Sequence, residues 1–155
     1  MTDRNLEGYC GLYCGACPVH ERHRDDPVVR GMRERFDISN DQPLCRGCRS
    51  DVLWVSCRDC KIRDCAQSKG SDSCFACSEM PCDRLTQLSA LRPHLVEIFP
   101  NLERLRDRGS EAWLAKQADH WLCPSCGRAA TWYEQQVCGA CGASLPAGYA
   151  LPEDG

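Results

Sequence analysis

Three cysteines near the amino terminus have a spacing that could bind an iron–sulfur cluster. Cys10, Cys14 and Cys17 form a C-x3-C-x2-C motif in the stretch CGLYCGACP. Radical enzymes that use S-adenosylmethionine bind three irons of a [4Fe–4S] cluster at this spacing. Their chemistry needs a large α/β barrel, whereas this chain has 155 residues and no alternating pattern of strands and helices. We therefore expect a metal site of another kind.

Four cysteines in the C-terminal part of the chain have the spacing of a single zinc site. They form two C-x2-C pairs, each followed by glycine, with eleven residues between the pairs. The four are Cys123, Cys126, Cys138 and Cys141. The stretch TWYEQQV between the pairs predicts a short β-hairpin, and four thiolates saturate a tetrahedral ion. The pattern predicts a closed, structural zinc ribbon, because the spacer is short for rubredoxin-type iron.

The other eleven cysteines form a denser block whose grouping the sequence leaves open. They are Cys10, Cys14, Cys17, Cys45, Cys48, Cys57, Cys60, Cys65, Cys74, Cys77 and Cys82. The stretches CRDCKIRDC and CFACSEMPC repeat one C-x2-C-x4-C pattern, which indicates two similar metal-binding turns. Two four-thiolate sites would leave three thiols over. The fourth ligand of the opening motif is then His20, a cysteine such as Cys82, or a group from outside the protein.

The metal bound by these eleven thiols is predicted to be zinc, with [4Fe–4S] clusters as the alternative. C-x2-C pairs with four-residue spacers suit zinc. Cys17-Pro18 resembles the Cys-Pro ending of ferredoxin motifs, and clusters also combine three near cysteines with one remote cysteine. One such grouping joins the opening motif to Cys82. We favour zinc because the repeat matches no common ferredoxin pattern.

Composition narrows the setting in which the protein works. The fifteen cysteines are an odd number in mostly short pairs, which favours metal binding over disulfides. The first nine residues contain no apolar signal segment, so we expect a reducing cytoplasm. The net charge is −3, and no run approaches the ~20 apolar residues of a membrane span. We expect neither membrane nor nucleic-acid binding, and we expect Trp121, Trp132 and Tyr133 to fill a small core and dock on the preceding helix.

The sequence predicts a small α+β metal-stabilised fold. An irregular cysteine-knuckle core carries packed helices, and the C-terminal β-hairpin zinc ribbon is separate. Pro27 after Asp26 predicts the start of a helix. Pro93 interrupts the later helical stretch, which has a predicted C-cap at Gly109 and a new N-cap at Ser110.

This fold divides the chain into four predicted segments. Residues 1–82 form a cysteine-rich metal-binding module, and residues 83–121 a helical segment that packs on it. Residues 122–148 form the zinc ribbon, and residues 149–155 a tail.

The cysteine pattern of residues 9–82 resembles an uncharacterised prokaryotic family, domain of unknown function 3795. The matching stretches are YCGLYCGACP, CRGC, CRDCKIRDCAQSKG and CFACSEMPC. Besides the eleven cysteines, the shared positions are Gly11, Ile62, Arg63, Lys69, Gly70 and Pro81. The chain departs from the pattern at His20 and Met80, where members usually carry aromatic residues. The resemblance implies cysteine-based metal binding in a prokaryotic cytoplasm and implies no particular activity.

The function that these patterns favour is a zinc-stabilised module that binds another protein. The sequence shows no convincing acid–base or nucleophile constellation, so an enzyme is not favoured, although a three-thiolate zinc site could bind a substrate. One alternative is an iron–sulfur redox protein or an accessory subunit of an anaerobic enzyme. Another is a thiol-based redox or metal sensor whose sites release metal on oxidation.

Overall fold

The fold consists of short helices joined by long irregular segments that carry the cysteines. The computed structural model describes residues 3–35, 37–39, 43–133, 137–146 and 148–149. The α-helices of this part are α1 (Pro27–Arg35), α2 (Lys61–Ser68), α3 (Asp83–Ser89), α4 (Ile98–Arg108) and α5 (Ser110–His120). Short 3-10 turns span Arg4–Leu6, Cys14–Ala16, Glu21–His23, Val55–Cys57, Cys74–Ala76 and Pro93–Glu97. None of these described helices has both the length and the apolar character needed to cross a bilayer.

Proline sets two helix boundaries where the sequence predicts them. Helix α1 begins at Pro27, whose fixed φ and missing N–H suit the first helical position. Pro93 begins the 3-10 turn Pro93–Glu97, which separates α3 from α4. The predicted interruption of the helical stretch is therefore confirmed.

Glycine ends α4, and its carbonyl starts the next helix. Gly109 has a φ of 84°, and its N–H donates to the carbonyl of Leu105 at 2.9 Å. The predicted N-cap at Ser110 is wrong, because Ser110 is already the first residue of α5. Gly109 holds the cap position, since its carbonyl accepts the N–H of Trp113 at 3.2 Å.

Cysteines occupy the N-cap positions of two helices. Cys60 precedes α2 and Cys82 precedes α3, and neither side chain makes a capping hydrogen bond. The positive end of a helix dipole favours a negative group nearby. Each of these two cysteines is thus positioned by the start of a helix.

The predicted α+β class with a C-terminal β-hairpin zinc ribbon is wrong. Within the described ranges no residue lies in a named strand, and the pairings are isolated bridges. Leu122 bridges Ala129, and Val137 bridges Ser144, so each cysteine pair closes its own turn instead of pairing with the other. Residues 134–136 of the predicted hairpin lie outside the described residues.

Helix α4 packs against residues 1–82, which we call the cysteine-rich half. Ile98, Leu102 and Leu105 are each at most 1% exposed. The opening cysteine loop approaches this helix so closely that a Cβ on Gly11 would lie 2.9 Å from Cγ of Leu102. Gly11 also has a φ of +92°, so its backbone conformation and its contact both favour glycine.

A second apolar cluster joins the start of the chain to its C-terminal part. Tyr13 and Ala16 from the opening loop pack in one cluster with Trp113, Trp121 and Trp132. The rings of Tyr13 and Trp113 meet edge to face with centroids 6.2 Å apart. The C-terminal part is therefore packed on the opening loop and is not a detached module.

Replacing Leu102 by alanine tests the role of α4. Leu102→Ala should lower the free energy of unfolding by about 3 kcal/mol, because a fully buried leucine leaves a cavity when truncated. Leu91→Ala is the matched control, since Leu91 is 66% exposed, and we expect little change. Denaturant unfolding of the metal-loaded proteins measures both. Equal losses for the two variants would contradict this description of the core.

Candidate metal centres

Four cysteine sulfurs of the C-terminal part converge on one point. The Sγ atoms of Cys123, Cys126, Cys138 and Cys141 all lie within 4.8 Å of one another. Sγ of Cys123 is 3.6 Å from Sγ of Cys141, and Sγ of Cys126 is 3.8 Å from Sγ of Cys138. Cys123 and Cys138 are buried, whereas the other two are exposed. The group therefore sits at the surface, with the buried Cys123 and Cys138 anchored in the core. It contains all four predicted residues.

Two equivalent tight turns hold the four thiols. The N–H of Gly127 donates to the carbonyl of Cys123 at 2.9 Å, and the N–H of Gly142 donates to that of Cys138 at the same distance. Both glycines have a positive φ, +74° and +76°. This conformation is strained for other residues, and it turns the following amides toward the sulfurs.

Backbone amides favour the ionised form of the buried pair. Burial opposes ionisation of Cys138, but the N–H groups of Cys141 and Ala140 bond to its sulfur, and its pKa is lowered to about 6. The N–H of Cys126 likewise lowers the pKa of Cys123. Thiolates are the form that binds metal, so the turns favour the binding form at Cys123 and Cys138. The N–H of Arg128 bonds to the sulfur of Cys126, but burial and hydrogen bonds with the other three thiols raise its pKa to about 11.

An arginine connects this group to the cysteine-rich half. Arg128 donates from Nη2 to Sγ of Cys138 at 3.6 Å. Its Nη1 pairs with the carboxylate of Asp26, a buried residue directly before α1. The guanidinium offsets thiolate charge, and the carboxylate fixes its orientation.

The geometry of the group fits one tetrahedral ion. A Zn–S bond of ~2.3 Å places the sulfurs of a tetrahedral site ~3.8 Å apart. Two of the six sulfur–sulfur separations, 3.6 and 3.8 Å, agree with this value, and all six are within 4.8 Å. A metal ion can therefore be bound by these four thiolates, and the same donor set also accepts iron.

The aromatic residues near this group pack in one apolar cluster with Trp113 and Leu114 of the preceding helix α5 and with the opening loop. The backbone N–H of Trp132 donates to the carbonyl of Ala16 at 2.9 Å. The ring of Trp132 stacks on His94 with centroids 4.1 Å apart. The hydroxyl of Tyr133 is 2.6 Å from Nδ1 of His94. Trp121 also bonds the preceding helix through Gln117 at 3.2 Å. No sequence motif marks His94 as a contact residue, so sequence reasoning missed it.

The other eleven thiols lie further apart than the C-terminal four. In the described part of the chain, which includes all of them, no three come within 4.8 Å of one another. Four of them nonetheless line one small cavity of about 30 Å³. These are Cys65, Cys74, Cys77 and Cys82. The structure places Cys82 there. Its grouping with the opening motif remains a prediction.

The remaining seven thiols surround the opening loop. Those of Cys10 and Cys14 are both 3.6 Å from the position that a Cβ on Gly8 would take. Cys17 and Cys45 pack in an apolar cluster with Trp54. The other three are Cys48, Cys57 and Cys60.

His20 lies beside Cys45 but already uses one ring nitrogen. It is 7% exposed and forms an isolated bridge with Cys45. Its Nδ1 accepts the N–H of Arg22 at 3.2 Å, whereas Nε2 has no partner among the described residues. Burial lowers its pKa. Its role as a ligand remains a prediction.

A buried ion-pair network fixes the loops that carry the cysteines. Glu7 is fully buried and pairs with Arg4 and Arg49, each at 3.2 Å. Arg49 also donates to the backbone carbonyls of Glu7 at 2.9 Å and Asp72 at 2.7 Å, and it lies over the ring of Tyr9. The start of the chain, the Cys45–Cys48 loop and the segment before Cys74 are thereby joined. The sequence contains only one sign of this network, the charged residue Glu7 shortly before the opening motif. A single charge does not predict a buried ion-pair network.

Two arginines of one loop allow a matched test of this network. Arg49→Ala should lower the free energy of unfolding by about 3 kcal/mol, because it removes a partner of a buried carboxylate. Arg46→Ala should leave the free energy of unfolding nearly unchanged, since Arg46 is 59% exposed and pairs with Glu21 at the surface. Thermal unfolding and metal content of both variants provide the measurement. Similar stability of the two would show that the network does not hold the loops.

A comparison with protein families gives one match. The model of the family described as "Protein of unknown function (DUF3795)" matches residues 6–87, just over half of the chain. The resemblance found in the cysteine pattern is thereby confirmed. No curated protein and no solved structure matches the chain.

Proposed function

Because the chain belongs to the DUF3795 family of proteins of unknown function, we propose its role from its metal chemistry: a zinc-stabilised module that binds another protein. The observation that carries the proposal is the C-terminal group of four sulfurs, whose separations of 3.6 and 3.8 Å suit one tetrahedral ion. Such a site stabilises the fold when it is filled, since the thiolates would otherwise repel one another.

The C-terminal group has the character of a structural zinc site. Four thiolates saturate the ion and leave no position for a substrate. The hydrogen bonds from backbone N–H groups that lower the pKa of Cys138 and Cys123 support thiolate ligation by these two residues. Such ligands must stay reduced, so we place the protein in the reducing cytoplasm.

An iron–sulfur protein is a second candidate, and one observation favours it. Among the described residues, no three of the eleven thiols of the cysteine-rich half lie as close together as the ~3.8 Å sulfur–sulfur distances around a single tetrahedral ion require. A cluster separates its cysteines more widely, because each thiolate binds a different iron. Zinc at the C-terminal group and clusters elsewhere would then coexist.

Metal analysis of anaerobically purified protein tests the zinc proposal. The wild type should contain zinc, and Cys126→Ser with Cys141→Ser should lose one zinc per chain and unfold at lower temperature. Ser125→Ala is the control, because it changes an exposed residue of the same turn and keeps all four thiolates. Native mass spectrometry and elemental analysis measure the loss.

The outcomes separate the two candidates. A colourless protein that contains only zinc would rule out the iron–sulfur candidate. A visible absorbance that dithionite bleaches would rule out zinc as the only metal. Equal zinc content in the double variant and the wild type would overturn the C-terminal zinc site.

The partner is proposed from apolar side chains at the surface. Leu91 and Val96, on either side of Pro93, are 66% and 60% exposed, and Val137 is 57% exposed. Apolar surface of this kind gains stability when another protein covers it. We therefore propose that the partner protein contacts the segment between α3 and α4.

Site-specific crosslinking tests this contact. A photoreactive amino acid at position 91 or 96 should form one discrete adduct with a second protein in the native cells. The same residue at Glu103, which is exposed on α4, is the control and should not form that adduct. An identical pattern from all three positions, or no adduct at all, would contradict the proposed contact.

A further inference from the structure

We propose that a cleft between α4 and α5 binds a small organic phosphate that carries hydroxyl groups. The cleft has a volume of about 390 Å³, which is within the range of small-molecule sites. The fifteen cysteines all belong to the described residues, and none of them lines this cleft. The proposed site is therefore separate from the thiols, and the proposal holds whichever metal they bind.

Basic side chains from both helices dominate the exposed part of the lining. Arg104 and Arg108 are four residues apart on α4, so they lie on one face of this helix. Lys116 and His120 have the same spacing on α5, and all four residues are exposed. Two guanidinium groups and one ammonium group thus line one cleft of a chain whose net charge is −3. Local positive charge of this kind attracts an anion.

The described part of the chain leaves most of this positive charge unpaired. Arg108 and Lys116 have no ion-pair partner among the described residues, whereas Arg106 on the same helix forms an ion pair at 3.4 Å. Nη1 of Arg104 donates to the side-chain oxygen of Asn101, a neutral group, at 3.2 Å. Asn101 is 1% exposed, so this bond orients the guanidinium without neutralising it.

A donor and an acceptor without partners belong to the buried part of the lining. Nε1 of Trp113 and Oε2 of Glu97 are both buried, and neither has a hydrogen-bond partner among the described residues. Burial raises the pKa of the Glu97 carboxyl, which Tyr149 hydrogen-bonds, and so acts against the charge that would repel an anion. Buried polar atoms are normally paired, so a bound molecule that supplies both partners fits this lining.

Packing holds these groups in place before a ligand binds. Trp113 is 2% exposed, and its ring meets that of Tyr13 edge to face with centroids 6.2 Å apart. Oε1 of Gln117, which also lines the cleft, accepts the indole N–H of Trp121 at 3.2 Å. That bond fixes the amide group of Gln117, whose nitrogen is a further donor. A lining that is already ordered loses little conformational entropy on binding.

A hydroxylated phosphate matches both parts of this lining. A phosphate monoester carries about two negative charges and three acceptor oxygens, whereas a carboxylate carries one charge and two oxygens. Two guanidinium groups and an ammonium group therefore suit the phosphate better. A hydroxyl group both accepts and donates, so it can accept the N–H of Trp113 and donate to Glu97. A sugar phosphate combines the two groups in one molecule.

Isothermal titration calorimetry of the full-length, metal-loaded protein tests the ligand class with four probes. Ribose 5-phosphate should bind once per chain and at least about tenfold more tightly than inorganic phosphate, because its hydroxyls reach the buried pair. Ribonate, with a carboxylate in place of the phosphate, should bind more weakly, and ribose should not bind. No binding of ribose 5-phosphate at millimolar concentration would overturn the proposal, as would equal affinities for ribose 5-phosphate and inorganic phosphate. Tighter binding of ribonate would overturn the assignment of a phosphate.

Three arginines of α4 give matched variants for the exposed part. Arg104→Gln with Arg108→Gln should weaken the binding of ribose 5-phosphate at least about tenfold, because two charged donors are lost. Arg106→Gln is the control and should leave the affinity unchanged, since Arg106 is exposed on the same helix but does not line the cleft. Equal affinities of the double variant and the control would place the ligand elsewhere and contradict the proposed site.

Trp113→Phe tests the buried part, because it keeps an aromatic ring and removes the N–H. The affinity for ribose 5-phosphate should fall about fivefold, and that for inorganic phosphate should stay unchanged, which also shows that the variant is folded. In the wild type, the indole N–H resonance of Trp113, assigned through its contact with Tyr13, should shift with ribose 5-phosphate and not with inorganic phosphate. A resonance that does not move with ribose 5-phosphate would overturn the proposal even if the variant fails to fold.

Discussion

Thiolates gathered in a small volume repel one another, and a bound cation is what makes such a gathering stable. Burial raises the pKa of Cys10, Cys14 and Cys74, so without a cation these thiols would be neutral. A divalent ion or a cluster reverses this preference and converts the binding free energy into folding free energy. Under the proposed function the apolar clusters position the loops, and bound metal would supply the cohesion between them.

The two halves of the protein depend on each other through a few contacts. Arg128 joins Asp26 to the sulfur of Cys138, and Trp132 bonds Ala16 beside the opening motif. The stack of Trp132 on His94 adds an aromatic contact to the segment before α4. The C-terminal group of four thiols is therefore built on the part of the chain that matches the family, and changes in one part are expected to reach the other.

Local patterns were predictable from sequence, whereas pairings across the chain were not. The C-terminal group follows from spacing alone, because two tight turns place each C-x2-C pair with little help from the rest of the fold. The β-hairpin prediction failed because each isolated bridge joins residues on either side of one cysteine turn, as between Leu122 and Ala129. The repeat in residues 57–82 shows that two turns are similar but cannot show which thiols meet. The Glu7–Arg49 network, which brings the loops together, leaves no spacing pattern to find.

Anomalous diffraction from crystals of the anaerobically purified protein tests the account most directly, because it locates each metal relative to named sulfurs. The account predicts one metal ion at the C-terminal group, ligated by Cys123, Cys126, Cys138 and Cys141, and further metal in the cysteine-rich half. A C-terminal group without metal, or a metal there that lacks any of these four sulfurs as a ligand, would contradict it.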